Sequence, residues 1–117
     1  MSASHRSSRL PDLDAGQAAA LLDRREAVLL DVREPAEWIA GHAPQAVHLP
    51  LAQVTAQAAP QGATVIAVCR SGQRSGRAAD LLAAAGVAVH NLAGGMGGWA
   101  RAGLPVVTDD GGPGEVA

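Results

Sequence analysis

The chain has a single cysteine, Cys69, no phenylalanine, no tyrosine and no lysine, and two tryptophans among its 117 residues. Each shortage excludes something. One thiol rules out an internal disulfide, a Cys-x-x-Cys redox pair and a cysteine-based zinc site. It also leaves no second thiol in the chain to resolve a sulfur-bound intermediate, so any such intermediate must be discharged by an outside acceptor. Without Phe or Tyr the core has to be filled by Leu, Val, Ile and many Ala, and small side chains let helices lie close to a sheet. All nine basic residues are arginines, so the position of an arginine carries more information than its presence. The formal charge of −2 argues against a general nucleic-acid binder. No apolar run is long enough to cross a bilayer, and residues 1–9 lack the apolar stretch of a secretory signal. A reducing cytoplasm, where a lone reactive thiol persists, is the expected location, with neither membrane nor nucleic acid as a partner.

What the chain does have is an alternating pattern in which hydrophobic residues make up 48%, enough for the core of one domain. Asp14 followed by Gln17 predicts a capping-box start to a first helix with Ala18, Leu21 and Leu22 on its apolar face. Residues 27–32 read as a buried strand, and Pro35 opens a short helix ending near Gly41. Residues 46–49 form a short strand candidate between Pro44 and Pro50, and 51–59 a helix stopped by Pro60. Val65, Ile66, Ala67 and Val68 make a continuous apolar run, as in a strand buried on both faces of a parallel sheet. Ala78, Leu81, Leu82 and Ala85 then recur at helical spacing, with Gly86 placed to end that helix. Residues 87–92 read as a further strand, followed by a short helix near Trp99. The alternation predicts an α/β fold, a small parallel sheet with helices on both faces. The domain is expected over 11–107, with a flexible segment at 1–10 and a flexible Asp-, Gly- and Pro-containing tail at 108–117.

Cys69 ends the third apolar run and opens a loop, Arg70-Ser71-Gly72-Gln73-Arg74-Ser75, that leads straight into a helix. Strand, loop and helix in that order place the thiol at the carboxyl end of a strand, where ligands bind in open α/β sheets. A helix N-terminus and neighbouring cations both stabilise a thiolate, the nucleophilic form of cysteine. Gly72 and Gly76 allow a tight turn whose free N–H groups can point at a bound anion. Arg70 and Arg74 add planar donors suited to an oxyanion. These residues describe a sulfur nucleophile that handles anions.

The run from Cys69 to Ser75 resembles the catalytic loop of the rhodanese family of sulfurtransferases. Asp31-Val32-Arg33-Glu34-Pro35-Ala36-Glu37-Trp38-Ile39-Ala40-Gly41-His42-Ala43-Pro44 is similar to that family's upstream signature. Gly94-Gly95-Met96-Gly97-Gly98-Trp99 resembles the segment that closes its domain. Three blocks in family order are a far more specific signal than one. Ala43 and Gln45 depart from the pattern, which commonly has a larger aliphatic residue and a glycine there. The resemblance implies a three-layer rhodanese-like fold and marks Cys69 as the nucleophile. It makes Arg70, Ser71, Gly72, Gln73, Arg74 and Ser75 the substrate-binding loop. It further implies transfer of sulfane sulfur from thiosulfate, through a persulfide on Cys69, to cyanide, a small thiol or a protein acceptor. No metal and no organic cofactor is expected, and the short chain is compatible with a monomer.

Plainer roles stand beside these. Arg74 is either an anion ligand or a solvated first-turn residue, and Arg70 either an anion ligand or a side chain that points outward to meet a substrate or a partner. Ser71 and Ser75 either donate to the sulfur or cap the helix. Asp31 is expected to pair with an arginine, His42 to be a structural hydrogen-bonding residue, and Trp38 and Trp99 to pack in the core or crevice. His48 and His90 carry no metal-ligand spacing. Two other classes use related parts. Cysteine phosphatases and arsenate reductases resemble a Cys-x5-Arg loop around a tetrahedral oxyanion, whereas this loop is Cys-x4-Arg. A non-catalytic module would keep the fold and dock a partner.

Overall fold

The computed structural model describes residues 8–117, so the first seven residues of the expected N-terminal segment lie outside it. Four parallel strands, β1 (Val28–Asp31), β2 (Val47–His48), β3 (Val65–Val68) and β4 (Val89–Asn91), form one sheet in the order β2-β1-β3-β4. β3 is central: it pairs with β1 from Val28↔Val65 to Asp31↔Val68 and with β4 from Val65↔Val89 to Ala67↔Asn91. With neighbours on both edges and helices on both faces, its four residues are fully buried, which is why the apolar run is continuous.

Strand alternation sorts the core into two layers. Val65, Ala67 and Cys69 face one side together with Leu30 and Val32, where Ala78, Ala79, Leu82 and Ala83 of α3 (Gln73–Ala84) cover them. Ile66, Val68 and Leu29 face the other side, under Ala18 and Leu22 of α1 (Ala15–Asp23) and Met96 and Trp99 of α4 (Gly95–Arg101). Four of the helix residues named are alanine, so α3 and α1 can approach the sheet closely in a core lacking Phe and Tyr. Trp99 is fully buried, and its indole N–H donates to the Pro105 carbonyl at 2.8 Å.

The capping box forms as expected: the Gln17 amide donates to the Asp14 carboxylate, and the Asp14 amide donates to the Gln17 side chain. α2 (Pro35–Ala40) begins at its proline and ends at Gly41. Gly86, with φ 90°, closes α3 by donating to the Ala83 carbonyl while Val87 donates to that of Leu82, a Schellman motif. The buried stripe of α3 nevertheless differs from the apolar one. Leu81 is half exposed and Ala85 exposed, whereas Ser75 and Gly76 are buried beside Ala78, Ala79, Leu82 and Ala83. The site claims the first turn of that face, so a polar and a side-chain-free residue sit where apolar periodicity alone would not put them.

Residues 51–59 do not form the expected helix. A single 3-10 turn, Leu51–Gln53, ends at Val54, whose backbone is extended (φ −71°, ψ 118°) and whose side chain is buried in the α3-side core. The Thr55 hydroxyl then accepts from the Ala58 amide, a local bond that competes with helix formation. The segment expected as a flexible tail folds back onto the domain: Val107 pairs with both His42 and Pro113, and the Glu115 amide donates to Ala40. Gly41 has no side chain because Glu115 backbone atoms occupy the place of a Cβ. At the other end, residues 10–13 run along β4, with the amides of Leu10 and Leu13 donating to Val89 and Asn91. Among the described residues no helix is long and apolar enough to cross a membrane.

Candidate active site

Three segments converge at the carboxyl end of β3, and each holds the loop in a different way. The first is the loop itself. Gly72 caps α3 in the left-handed region (φ 109°), a conformation that favours glycine, and no side chain caps the helix there. The chain therefore turns sharply after Cys69 and brings amides back over the thiol. The Gly72 N–H lies 3.1 Å from Cys69 Sγ and the Ser75 hydroxyl 3.3 Å, and the amides of Ser71 and Ser75 also face the sulfur. Burial alone pushes the thiol up, since Cys69 is only 1% exposed. The hydrogen bonds from Ser75, Gly72 and Ser71 outweigh it and hold the thiol below its ordinary value.

The second segment is the glycine-rich entry to α4. Met96 N–H donates to the Cys69 carbonyl at 2.8 Å and Gly97 N–H to the Arg70 carbonyl at 3.1 Å. Gly95 has φ 58°, and a side chain there would run into the carbonyls of both residues. The glycines of the third sequence block thus bring a helix start against the backbone of Cys69 and Arg70.

The third is α2. Glu37 meets Arg74 in a two-pronged ion pair, Nη1 to Oε1 at 2.7 Å and Nη2 to Oε2 at 2.8 Å. The guanidinium holds the Glu37 carboxyl down at about 2, and the carboxylate raises the already high value of Arg74. Arg74 is therefore neither a solvated residue nor a free oxyanion ligand: its fork is closed on Glu37. Behind it lies a dry pair in which Arg33, fully buried, donates through Nε and Nη2 to Asp31 and through Nη2 to the Gly41 carbonyl. This is the arginine partner expected for Asp31. His42 Nδ1 lies 2.9 Å from the Trp38 carbonyl, a structural bond, and Trp38 stacks on His42 and His48.

Asn91, at the end of β4, joins the site although its sequence context carries no sign of it. Its Nδ2 donates to the Gly72 carbonyl at 3.0 Å, so its Oδ1 is turned to the Ser75 hydroxyl, 2.6 Å away. Ser75 does not cap the helix; it links Asn91 to Cys69. A hydroxyl has one proton, so while Ser75 donates to Asn91 it can only accept from the thiol. The only signal that could have marked Asn91 is a polar residue ending a strand whose neighbour ends in the nucleophile. Arg70, Ser71 and Gln73 are exposed on the rim. Arg70 and Ser71, with Gly94, Gly97 and Arg101, line a cleft of about 230 Å³.

The site is thus a buried thiol at a strand end, ringed by amides on a three-layer α/β scaffold. The comparisons give its family. The rhodanese-like domain model matches residues 14–102, and the chain belongs to that family. It is 40% identical to a sulfurtransferase of Allochromatium vinosum over 78% of this chain and 88% of that protein. It is 42% identical to an uncharacterised protein of Synechocystis over 68% of this chain, and there it spans only 46% of the longer protein. A crystal structure of a thiosulfate sulfurtransferase from Pseudomonas aeruginosa superposes with a TM-score of 0.75 at 30% identity, covering 92% of this chain and 22% of that one.

Proposed function

We propose that the chain is a thiosulfate sulfurtransferase that carries sulfane sulfur as a persulfide on Cys69. The observation that supports this most is the ring of donors around Sγ: the amides of Ser71, Gly72 and Ser75 and the Ser75 hydroxyl. Donors fixed before the reaction stabilise negative charge without reorganisation. Here they serve first the thiolate and then the outer sulfur bonded to it. The thiolate attacks the outer sulfur of thiosulfate, whose S–S bond breaks, and sulfite leaves with the electron pair. A nucleophile then attacks the outer sulfur of the persulfide, and the electron pair of that S–S bond returns to Cys69. Cyanide, a small thiol or a protein thiolate meets the chemical requirement, and no oxidant or reductant is consumed.

Within this scheme each loop residue has a distinct part. As the proton leaves Sγ, the Ser75 hydroxyl turns its own proton from Asn91 to the sulfur. Gly72 supplies the nearest amide, and Gln73 begins the helix whose first turn is left uncapped for the anion. Arg74 fixes the loop against α2 through Glu37, and Arg70 lies at the mouth with no carboxylate partner among the described residues. The reading places the protein in a reducing compartment such as the cytoplasm. Intact-mass spectrometry after incubation with thiosulfate tests it. One added sulfur atom, located on Cys69 and released by cyanide as thiocyanate, is expected. An unchanged mass together with no thiocyanate formation would overturn the reading.

A further inference from the structure

The cleft beside the loop has room and charge that the donors around Cys69 Sγ do not account for. Its volume of about 230 Å³ compares with roughly 30 Å³ for one water in the liquid, so it admits a chain of several heavy atoms. Arg70 and Arg101 both line it, and among the described residues neither has a carboxylate within 4.0 Å. Arg33 and Arg74, a few residues away in the same corner of the fold, are each closed on an acid at 2.8 and 2.7 Å. Arg101 belongs to the last turn of α4, yet its Nη1 lies 3.3 Å from where a Cβ on Gly97 would be. Its side chain thus runs back along the helix, as helical side chains do, over a floor that Gly97 keeps open. Two guanidinium groups at one cleft repel each other, and an anion between them removes that cost.

We propose that this cleft is an anion subsite that takes the carboxylate of a small anionic thiol, the acceptor of the sulfur. The inference rests on the sulfurtransferase reading above. The donor is the poorer match: the sulfonate of thiosulfate is bonded directly to the sulfur that Cys69 attacks, so it stays over the loop amides. In an anionic thiol the carboxylate is two or three bonds from the reacting sulfur, so its charge is free to lie in the cleft with Arg70, Ser71 and Arg101 rather than over the loop amides. In the step itself the acceptor thiolate, R–S⁻, attacks the outer sulfur of Cys69–S–SH. An S–S bond forms in R–S–SH, which keeps the proton, the bond to Cys69 breaks, and its electron pair leaves Cys69 as thiolate.

Single-turnover discharge of the persulfide tests this, with 3-mercaptopropionate and 2-mercaptoethanol compared at equal thiolate concentration. The anionic acceptor is expected to react faster by roughly tenfold, the size of one charge-assisted contact. Arg101→Lys keeps most of that ratio and Arg101→Glu inverts it. Equal ratios in the wild type and Arg101→Glu would overturn the proposal. So would a variant in which loading from thiosulfate slows while the acceptor ratio stays fixed, since the cleft would then serve the donor. Should thiosulfate load no sulfur at all, the sulfurtransferase reading fails, and alkylation decides the cleft separately. The rate of Cys69 with iodoacetate relative to iodoacetamide falls in Arg101→Glu if the subsite exists and is unchanged if it does not.

Discussion

The turn after β1 and the loop after β3 leave adjacent strands side by side, with Asp31 in register with Val68, yet they treat charge in opposite ways. In the first, Arg33 and Asp31 are fully buried and bonded to each other, and Arg33 reaches on to the Gly41 carbonyl. Its Nη1 has no partner among the described residues. In the second, among the described residues, the start of α3 has no side-chain cap and Arg70 no carboxylate, and the amides gather on a sulfur. The closed turn commits its donors to a fixed ion pair, and the open loop gathers its donors on the sulfur, which the proposed function uses for an anion. Glu37 joins the two by drawing Arg74 out of the open set into the closed one. An arginine beside a nucleophile is an anion ligand only if no carboxylate already fills its fork.

The sharpest way to break this contrast is to remove the nucleophile from the open loop. Cys69→Ser keeps nearly the same volume, so the urea midpoint should stay close to that of the wild type while sulfur transfer disappears. A hydroxyl forms no persulfide, and its alkoxide is inaccessible near neutrality. Thiosulfate:cyanide activity in the serine variant above the uncatalysed rate would end the assignment of Cys69.

The closed turn should respond in the opposite currency, in stability. Asp31→Ala leaves Arg33 charged in a site with no water access, and removing one partner of such a pair costs about 3–5 kcal/mol. Urea unfolding checks it, and an unchanged midpoint would show that the turn is not held by its ion pair. A smaller effect, back in the open loop, comes from Ser75→Ala. It deletes the one side-chain donor to Sγ and leaves the Asn91 Oδ1 without its 2.6 Å partner. The thiol should rise toward its ordinary value, so alkylation slows near pH 6 and recovers at high pH, where both proteins are thiolate. Transfer near neutrality should fall by a factor on the order of 10², as for a lost preorganised donor. An alkylation profile that does not move would reduce Ser75 to packing.

The two regions were also unequally legible in the sequence. The strand order of residue types, Gly72 at the turn, Cys69 at a strand end and Gly86 as a helix stop all follow from local rules, and the structure places each as expected. The pairing of Asp31 with an arginine was readable because both residues lie in one short block. The partner of Arg74 was not, because Glu37 is 37 residues away and only the parallel pairing of β1 with β3 brings the two together. Asn91 was hidden for the same reason: a polar residue in a strand has no periodicity to betray it. The helix expected over 51–59 stops after one 3-10 turn, where Val54 is extended and buried and the Thr55 hydroxyl takes the Ala58 amide, none of which the apolar spacing shows. Residues 108–117 looked like tail because Asp, Gly and Pro mark both disorder and tight turns. What distinguishes the two is the space above Gly41, which belongs to the fold as a whole.

Glu37→Gln offers the finest probe of the boundary between the regions, through its dependence on pH. Glu37 is held at about 2, against an ordinary 4.5, by hydrogen bonding to Arg74. A carboxylate lowered in the folded state stabilises it at pH values above 4.5, and that stabilisation is lost as pH falls toward 2. Arg74 keeps its charge throughout, so only the acid titrates. The side chains are 35% and 20% exposed, and water screens them, so the pair contributes at most about 1 kcal/mol. The stability difference between wild type and Glu37→Gln, from urea curves, should therefore be small at pH 6 and vanish by pH 2. With Glu37 gone, Arg74 becomes free for an anion, and the KM for thiosulfate should fall slightly at pH 7. A stability difference that grows as pH is lowered would show that the fork is not closed in solution, and Arg74 would then rejoin Arg70 as an open cation of the loop.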